Sequence, residues 1–171
     1  MRFYGVEVSE KRETEVGPVK VAMEAIYKTI VCPVLQEVVD SGRSGLTSVL
    51  DLTECIENSH KLGKGFVKKG KTLPPCLIVR FMKREIRDIV IRHHKFVPPP
   101  SEQQVSAGVT KYRVVEDLTH TNYARLKELI EDDRVEKVWT IQGQFRLVLK
   151  SDPKKSVIKC KSFPFKFDNL V

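Results

Sequence analysis

Apolar residues recur along the chain with two periods, and the switches between them mark the elements. At the start, Phe3 and Val6 are set among Arg2 and Tyr4, so residues 2–8 predict a short strand. Residues 10–17 are polar and predict a loop. Pro18 suits a first helical position, and Val19, Ala22, Met23, Ile26 and Ile30 follow at helical spacing. Pro33 is expected to end or kink that helix, with a second helical piece over residues 34–39. A Gly/Ser turn, a helical turn and a strand near residues 53–59 come next. Residues 60–75 hold three glycines, two prolines and five lysines and predict a basic loop between two strands. Cys-Leu-Ile-Val-Arg-Phe at 76–81 is the clearest strand. Residues 83–95 predict a helix with Ile86, Ile89 and Val90 on one stripe. Residues 96–108, with three consecutive prolines, predict a loop, and residues 111–116 a strand. Beyond Asp117, Thr119 or Thr121 caps a helix carrying Tyr123, Leu126, Leu129 and Ile130. Residues 135–141 and 145–150 flank Gln142-Gly143-Gln144 and predict a hairpin, with a third strand over 157–163. Trp139 is expected to anchor the core of this last part.

The order over residues 1–118 is β-α-β-β-α-β, and residues 119–171 add a small α+β domain, a helix plus a hairpin. The predicted class is α+β, and the first domain suits a ferredoxin-like split β-α-β arrangement: an antiparallel sheet with helices on one face. The other face stays open unless a partner covers it. Strand alternation sends Phe3, Val6, Leu77, Val79, Phe81, Tyr112 and Val114 toward the helices. Cys76, Ile78 and Val115 are left on the open face. So are Arg2, Tyr4, Arg80 and Arg113, which are expected to form one stripe across the sheet. Arginine pairs with phosphates and stacks on bases, and Tyr4 supplies a stacking surface.

Composition narrows the function. The chain has 171 residues, 41% hydrophobic and 30% charged, with mean hydropathy −0.25. That describes a folded chain of one ordinary domain or two small ones. No apolar run approaches the ~18 residues of a membrane span, and no secretory signal opens the chain. The four cysteines form no C-x-x-C pair, which fits reduced thiols in the cytosol or nucleus. Thirty Lys and Arg face twenty-two Asp and Glu, for +8 and a pI near 9.4. Residues 61–95 alone hold eleven basic and two acidic side chains, 11 − 2 = +9. Charge this concentrated points to a polyanion, because phosphate binding needs several cations within reach of one backbone. Candidate contacts in this block are Lys64, Lys68, Lys69, Lys71, Arg80, Arg84 and Lys95. Catalytic chemistry finds no support. The four histidines and Cys55 lack metal-ligand spacing. Glu131-Asp132-Asp133 suits a turn. Ser59 and His60 are adjacent and point to opposite faces of a strand. Nucleophile-elbow and P-loop patterns are absent. No enzyme, cofactor or metal is expected.

Five motifs occur in order: Arg-Phe-Tyr-Gly-Val at the start, Ile-Glu-Asn-Ser-His-Lys-Leu-Gly at 56–63, Pro-Pro-Cys-Leu-Ile-Val-Arg-Phe-Met-Lys at 74–83, Glu-Asp-Leu-Thr at 116–119, and Lys-Val-Trp-Thr-Ile-Gln-Gly-Gln at 137–144. Over nearly the whole chain this resembles the first-open-reading-frame protein of LINE-type non-LTR retrotransposons, the transposase-22 type. The resemblance implies an atypical RNA recognition motif followed by a small C-terminal domain. It implies binding of single-stranded RNA and DNA, packaging of element RNA, and nucleic-acid chaperone activity. The family's strand arginine falls on Arg80, and its basic position at the end of the next helix on Lys95. Its basic loop falls on residues 64–71, and a basic position early in the C-terminal helix on Arg125 or Lys127. The third strand departs from ordinary RNA recognition motifs. Cys76 and Ile78 stand where paired aromatics stack bases, and Arg2 takes the aromatic position of the first strand. Weak base preference and salt-dependent, phosphate-dominated affinity are therefore expected. The resemblance further implies a cytoplasmic ribonucleoprotein, with a nuclear location as the alternative. Self-association is expected only through an upstream coiled coil that this sequence does not include. The competing class is a protein–protein interaction module of ferredoxin-like fold that binds no nucleic acid.

Overall fold

Phe3 is fully buried between half-buried Arg2 and Tyr4, the alternation of a strand with one face on a core. This strand, β1 (Arg2–Tyr4), is shorter than the expected 2–8. Gly5 turns the chain at φ +87°, a conformation that suits glycine. A Cβ there would lie 2.9 Å from Val109 Cγ1 and 3.3 Å from the Lys111 carbonyl oxygen. Past this bend Val6 lies in the core as expected, but the turn at Gly5 puts it there rather than alternation, since Phe3 and Val6 fall on opposite faces of a continuous strand. The computed structural model describes residues 1–43, 45–63, 65–68 and 71–160, and the chain divides into two compact units, Met1–Val115 and Glu116–Val171.

In the first unit β1 is followed by α1 (Glu10–Val16), α2 (Pro18–Ile26), α3 (Cys32–Asp40), α4 (Leu52–Cys55) and β2 (Ile56–Leu62). A hairpin of β3 (Phe66–Lys68) and β4 (Lys71–Leu73) leads to β5 (Cys76–Phe81), α5 (Arg84–His93), α6 (Glu102–Ser106) and β6 (Arg113–Val115). The main sheet has the order β2-β5-β1-β6, with every neighbour antiparallel. Met1 extends the ladder by exchanging two backbone hydrogen bonds with Val79, each 2.8 Å. The unit is α+β. Its core joins one face of the sheet (Phe3, Ile56, Leu77, Val79, Val114) to Ala22, Ile26, Ile30, Val34, Leu35, Val38, Ile86 and Val90 of the helices. Burying a Leu, Ile, Val or Phe side chain contributes about 1.5–3 kcal/mol, so this cluster fixes which face looks inward.

Four expectations are corrected. Residues 10–16 are helical, not a loop. The Ser9 hydroxyl accepts from Arg12 N, and Glu10 and Glu13 occupy the first turn, where they complement the helix dipole. The helix buries nothing, so it has no apolar period to read. Second, of the end or kink expected at Pro33, the end does not occur: the helix is interrupted before the proline and resumes as the expected second piece, α3. Tyr27–Val31 form a π turn in which Cys32 N–H reaches the Tyr27 carbonyl, five residues back, and Pro33 sits in the first turn of α3. The widened turn relieves the crowding that proline imposes on the preceding carbonyls. The helix also rotates: Val21 is buried and Val19 exposed. Third, the expected basic loop contains the β3–β4 hairpin. Gly65 is required beside it, since a Cβ there would overlap the Leu73 carbonyl oxygen. Fourth, the proline-rich stretch contains α6, opened by a capping box of Ser101 and Gln104.

The second unit contains α7 (His120–Glu131), capped by Thr119, and a sheet of order β7 (Val135–Ile141), β8 (Gln144–Leu149), β9 (Ile158–Lys159). Gln142 (φ 55°) and Gly143 (φ 73°) make a two-residue turn, so Gln144 belongs to the strand, opposite Ile141. The Glu116 carboxylate accepts from Gln142 N at 2.6 Å and Gly143 N at 3.1 Å, which ties the first residue of this unit to its hairpin. Leu129, Val135, Phe145 and Leu147 form the core. Trp139 is not its anchor. Val138 opposite Leu147 takes the inward side, and Trp139, one residue on, faces the other way opposite Arg146. Tyr123 and Ile130 of α7 are also exposed. The expected last strand is described only as far as Cys160; residues 161–163 lie outside the described residues. Among the described residues no helix is long and apolar enough to cross a membrane.

Gly5→Ala is expected to lower the unfolding free energy in urea by about 1–3 kcal/mol, the range for a strained conformation with crowding. Gly17→Ala shares a positive φ (+96°) but meets open space and should cost less. Equal losses would show that contact with Val109 does not matter.

Candidate nucleic-acid interface

Cross-strand register sorts the outer face of the main sheet into rows. Arg113 lies opposite Tyr4. In the next row Arg2 lies between Val115 and Ile78, with His60 beyond. In the third row Arg80 lies opposite Asn58. The residues that alternate with these, Phe3, Ser59, Leu77, Val79 and Val114, are all buried. Arg2, Tyr4, Arg80 and Arg113 therefore share the face opposite the core. They do not form a straight stripe: they run diagonally over three rows, from edge strand β6 to inner strand β5. With strands about 4.8 Å apart and rows about 6.8 Å apart, the Cα atoms of Arg113 and Arg80 are separated by roughly 17 Å.

Arg80 projects from inner strand β5, opposite Asn58 of β2 and one residue past the Met1–Val79 pair that ends the β1 side of the ladder, and its side chain is 77% exposed. Its Nε lies 2.9 Å from the Glu57 carboxylate, which is itself 41% exposed. Glu57 sits at a register shift between Ile56 and Asn58, where the bulge leaves two successive residues, Glu57 and Asn58, exposed. A pair this exposed contributes at most about 1 kcal/mol, so a phosphate can displace the carboxylate. The Arg113 guanidinium lies 6.0 Å from the centre of the Tyr4 ring, a cation–π contact on the same face. Burial first, and then Cys76, push the Tyr4 phenol above its usual value, while Arg2 pulls it down. Cys76 points to this face by alternation yet is 8% exposed, so it offers little surface to a ligand.

The remaining candidates are dispersed. Arg84 is exposed in the first turn of α5, next to Lys83 at the N-cap, so two cations stand where the helix dipole favours an anion. Lys95 is exposed just beyond α5, on the helical side of the unit. Its ammonium lies 5.1 Å from the Phe96 ring centre, and the Arg43 guanidinium 5.2 Å. The His93 ring stacks on Phe96 at 5.8 Å. Lys68 and Lys71 are placed by backbone in β3 and β4, opposite one another. Lys64 and Lys69 lie outside the described residues. Arg125 and Lys127 belong to the second unit, on α7, where the Lys127 ammonium lies 5.4 Å from the exposed Tyr123 ring. Two further cations of the basic block are paired with carboxylates: Lys61 lies 2.7 Å from the Glu13 carboxylate of α1, and Arg87 donates to its neighbour Asp88 at 2.6 and 2.9 Å.

Glu57, Asn58, His60 and Arg43 were not legible as neighbours of the candidate residues. A bulge leaves no signature in Ile-Glu-Asn-Ser, and Arg43 reaches Phe96 across more than fifty residues of chain. In the second unit Trp139, Arg146 and Lys159 form one cross-strand row on the face away from that core. Among the described residues no three His, Cys, Asp or Glu side chains gather as a metal site. No protein-family model matches the chain, and no curated protein or solved structure matches it either.

Burial, and then Arg92, Arg43 and Lys95, hold His93 below the ordinary imidazole value. Because the folded state resists its protonation, stability is complete above the unfolded value near 6.5 and declines as pH falls through it. The urea midpoint should drop between about pH 7.5 and about pH 5.5, and drop less in His93→Gln. Identical slopes in the two proteins would assign the loss to other groups.

Proposed function

We propose that this chain binds single-stranded nucleic acid, RNA first, chiefly through phosphates, as the resemblance to LINE-type first-open-reading-frame proteins implies. The first unit acts as an RNA recognition motif of ferredoxin-like topology. The strand order β2-β5-β1-β6 with antiparallel neighbours supports that reading, since two interleaved β-α-β units give this order. The observation that carries the proposal is the exposed Arg80 on an inner strand, sharing one sheet face with Arg2, Tyr4 and Arg113. An exposed guanidinium carried on a sheet strand suits bidentate phosphate contact. Tyr4 and the arginine planes offer stacking that tolerates any base. Lys83 and Arg84 at the start of α5 add phosphate contacts at the side of the same unit. The proposed role within a ribonucleoprotein, packaging and chaperoning RNA, rests on the resemblance and needs only such sequence-tolerant contacts. Glu57 is the counter-charge that bound nucleic acid replaces.

Fluorescence anisotropy of a labelled single strand of about 25 nucleotides, RNA and DNA, at two salt concentrations tests this. Binding should weaken steeply with salt. Arg80→Ala should weaken it about fivefold, roughly 1 kcal/mol, and reduce the salt slope by about one. Glu57→Gln should strengthen it, because Arg80 is then released from its partner. Absence of binding at low salt, or Arg80→Ala binding like the parent, would remove this reading in favour of a protein-interaction module.

A further inference from the structure

The first unit carries a second feature along the outer edge of β6, adjoining the arginine-bearing face at Arg113. As the last strand of the order β2-β5-β1-β6, β6 pairs with β1 on one side only, and among the described residues no strand lies on the other. There a groove of about 450 Å³ opens between residues 110–115 and the segment that follows α5. That volume is in the range of ligand-binding clefts. Prolines 98, 99 and 100 form the facing wall. Proline carries no backbone N–H, so this wall cannot close the sheet by pairing with β6. The result, among the described residues, is a strand edge with no ladder partner, an apolar wall beside it, and open space between them.

The charges decide what fits. His94, Lys95, Lys111 and Arg113 all line the groove, and among the described residues no carboxylate does. A second copy of this chain docking edge to edge would bring the same cationic edge, Lys111 and Arg113, against itself, a like-charge arrangement that disfavours pairing. Nucleic acid would satisfy the cations, but its carbonyl and N–H groups sit on separate bases and do not form the regular backbone ladder that a strand edge matches. An extended peptide satisfies both requirements. Its backbone pairs with β6, its alternate side chains enter the groove against the prolines and Val115, and carboxylates meet Lys95, Lys111 and Arg113.

We propose that this groove takes an extended acidic peptide segment of a partner protein, added to the sheet as a fifth strand on β6. Lys111 is the specificity-determining cation, since it lines the groove and stands apart from the diagonal Arg113–Tyr4–Arg2–Arg80.

A fluorescein-labelled peptide of about eight residues alternating Glu and Val, titrated against the whole chain, tests the proposal. The expected result is salt-sensitive binding in the micromolar range, with amide shift changes in NMR spectra concentrated on residues 110–115. A peptide alternating Lys and Val should not bind. N-methylation of alternate peptide amides should weaken binding at least tenfold in one of the two registers, because strand pairing uses every second amide. Lys111→Glu should weaken peptide binding at least tenfold and leave single-strand RNA affinity within twofold. Absence of peptide binding would overturn the proposal. So would indifference to N-methylation, which leaves only charge attraction. Equal losses of RNA and peptide affinity in Lys111→Glu would overturn it too, by making the groove part of a nucleic-acid track.

Discussion

The three residues of β1 hold the first unit in register. Phe3 is packed between Leu77 on one neighbouring strand and Val114 on the other, and Met1 closes the ladder against Val79. A strand slipped by one residue would exchange every inward side chain for an outward one. Here it would expose Phe3 and drive Arg2 and Tyr4 into the core, so the burial of Phe3 locks the outer face as much as the inner one. Gly5 ends the strand at once, because the chain must turn against Val109 and Lys111, where a Cβ has no room. The arginine-bearing face is the other side of that same constraint.

The basic block looks different once folded. A run of eleven cations suggests one continuous surface, but the fold distributes them by local need. Lys61 pairs with Glu13 of α1, far away in sequence, and Arg87 with its neighbour Asp88 on the same helix. Lys95 and Arg43 flank Phe96 on the helical side. Arg80 alone of the block stands on an inner strand of the face that also carries Arg2 and Arg113. Which cations share a face is therefore set by strand register, and it does not follow from how many lie close together along the chain.

The second unit obeys the same alternation with a different outcome for its largest side chain. Phe145 and Leu147 are the inward residues of β8, so register with β7 assigns Val138 to the core and Trp139 to the far face. Size alone suggested the opposite. The hairpin turn depends on Gln142 and Gly143 at positive φ, and the Glu116 carboxylate satisfies both of their N–H groups, holding a costly conformation with two charge-assisted hydrogen bonds.

Local pattern in the sequence was enough for the strand at 76–81, the helix carrying Ile86, Ile89 and Val90, the C-terminal hairpin and the α+β order of elements. Each rests on a period of apolar residues or a turn preference that acts over a few neighbours. Alternation also sufficed to assign Arg2, Tyr4, Arg80 and Arg113 to one face. Tertiary structure alone decided their diagonal placement, the bulge that brings Glu57 to Arg80, the passage of a helix through Pro33, and the fate of Trp139. These depend on strand register and on what the neighbouring elements leave unpaired or unfilled. Such long-range packing energies compete with local propensity of similar size, and no short stretch of sequence records which one prevails.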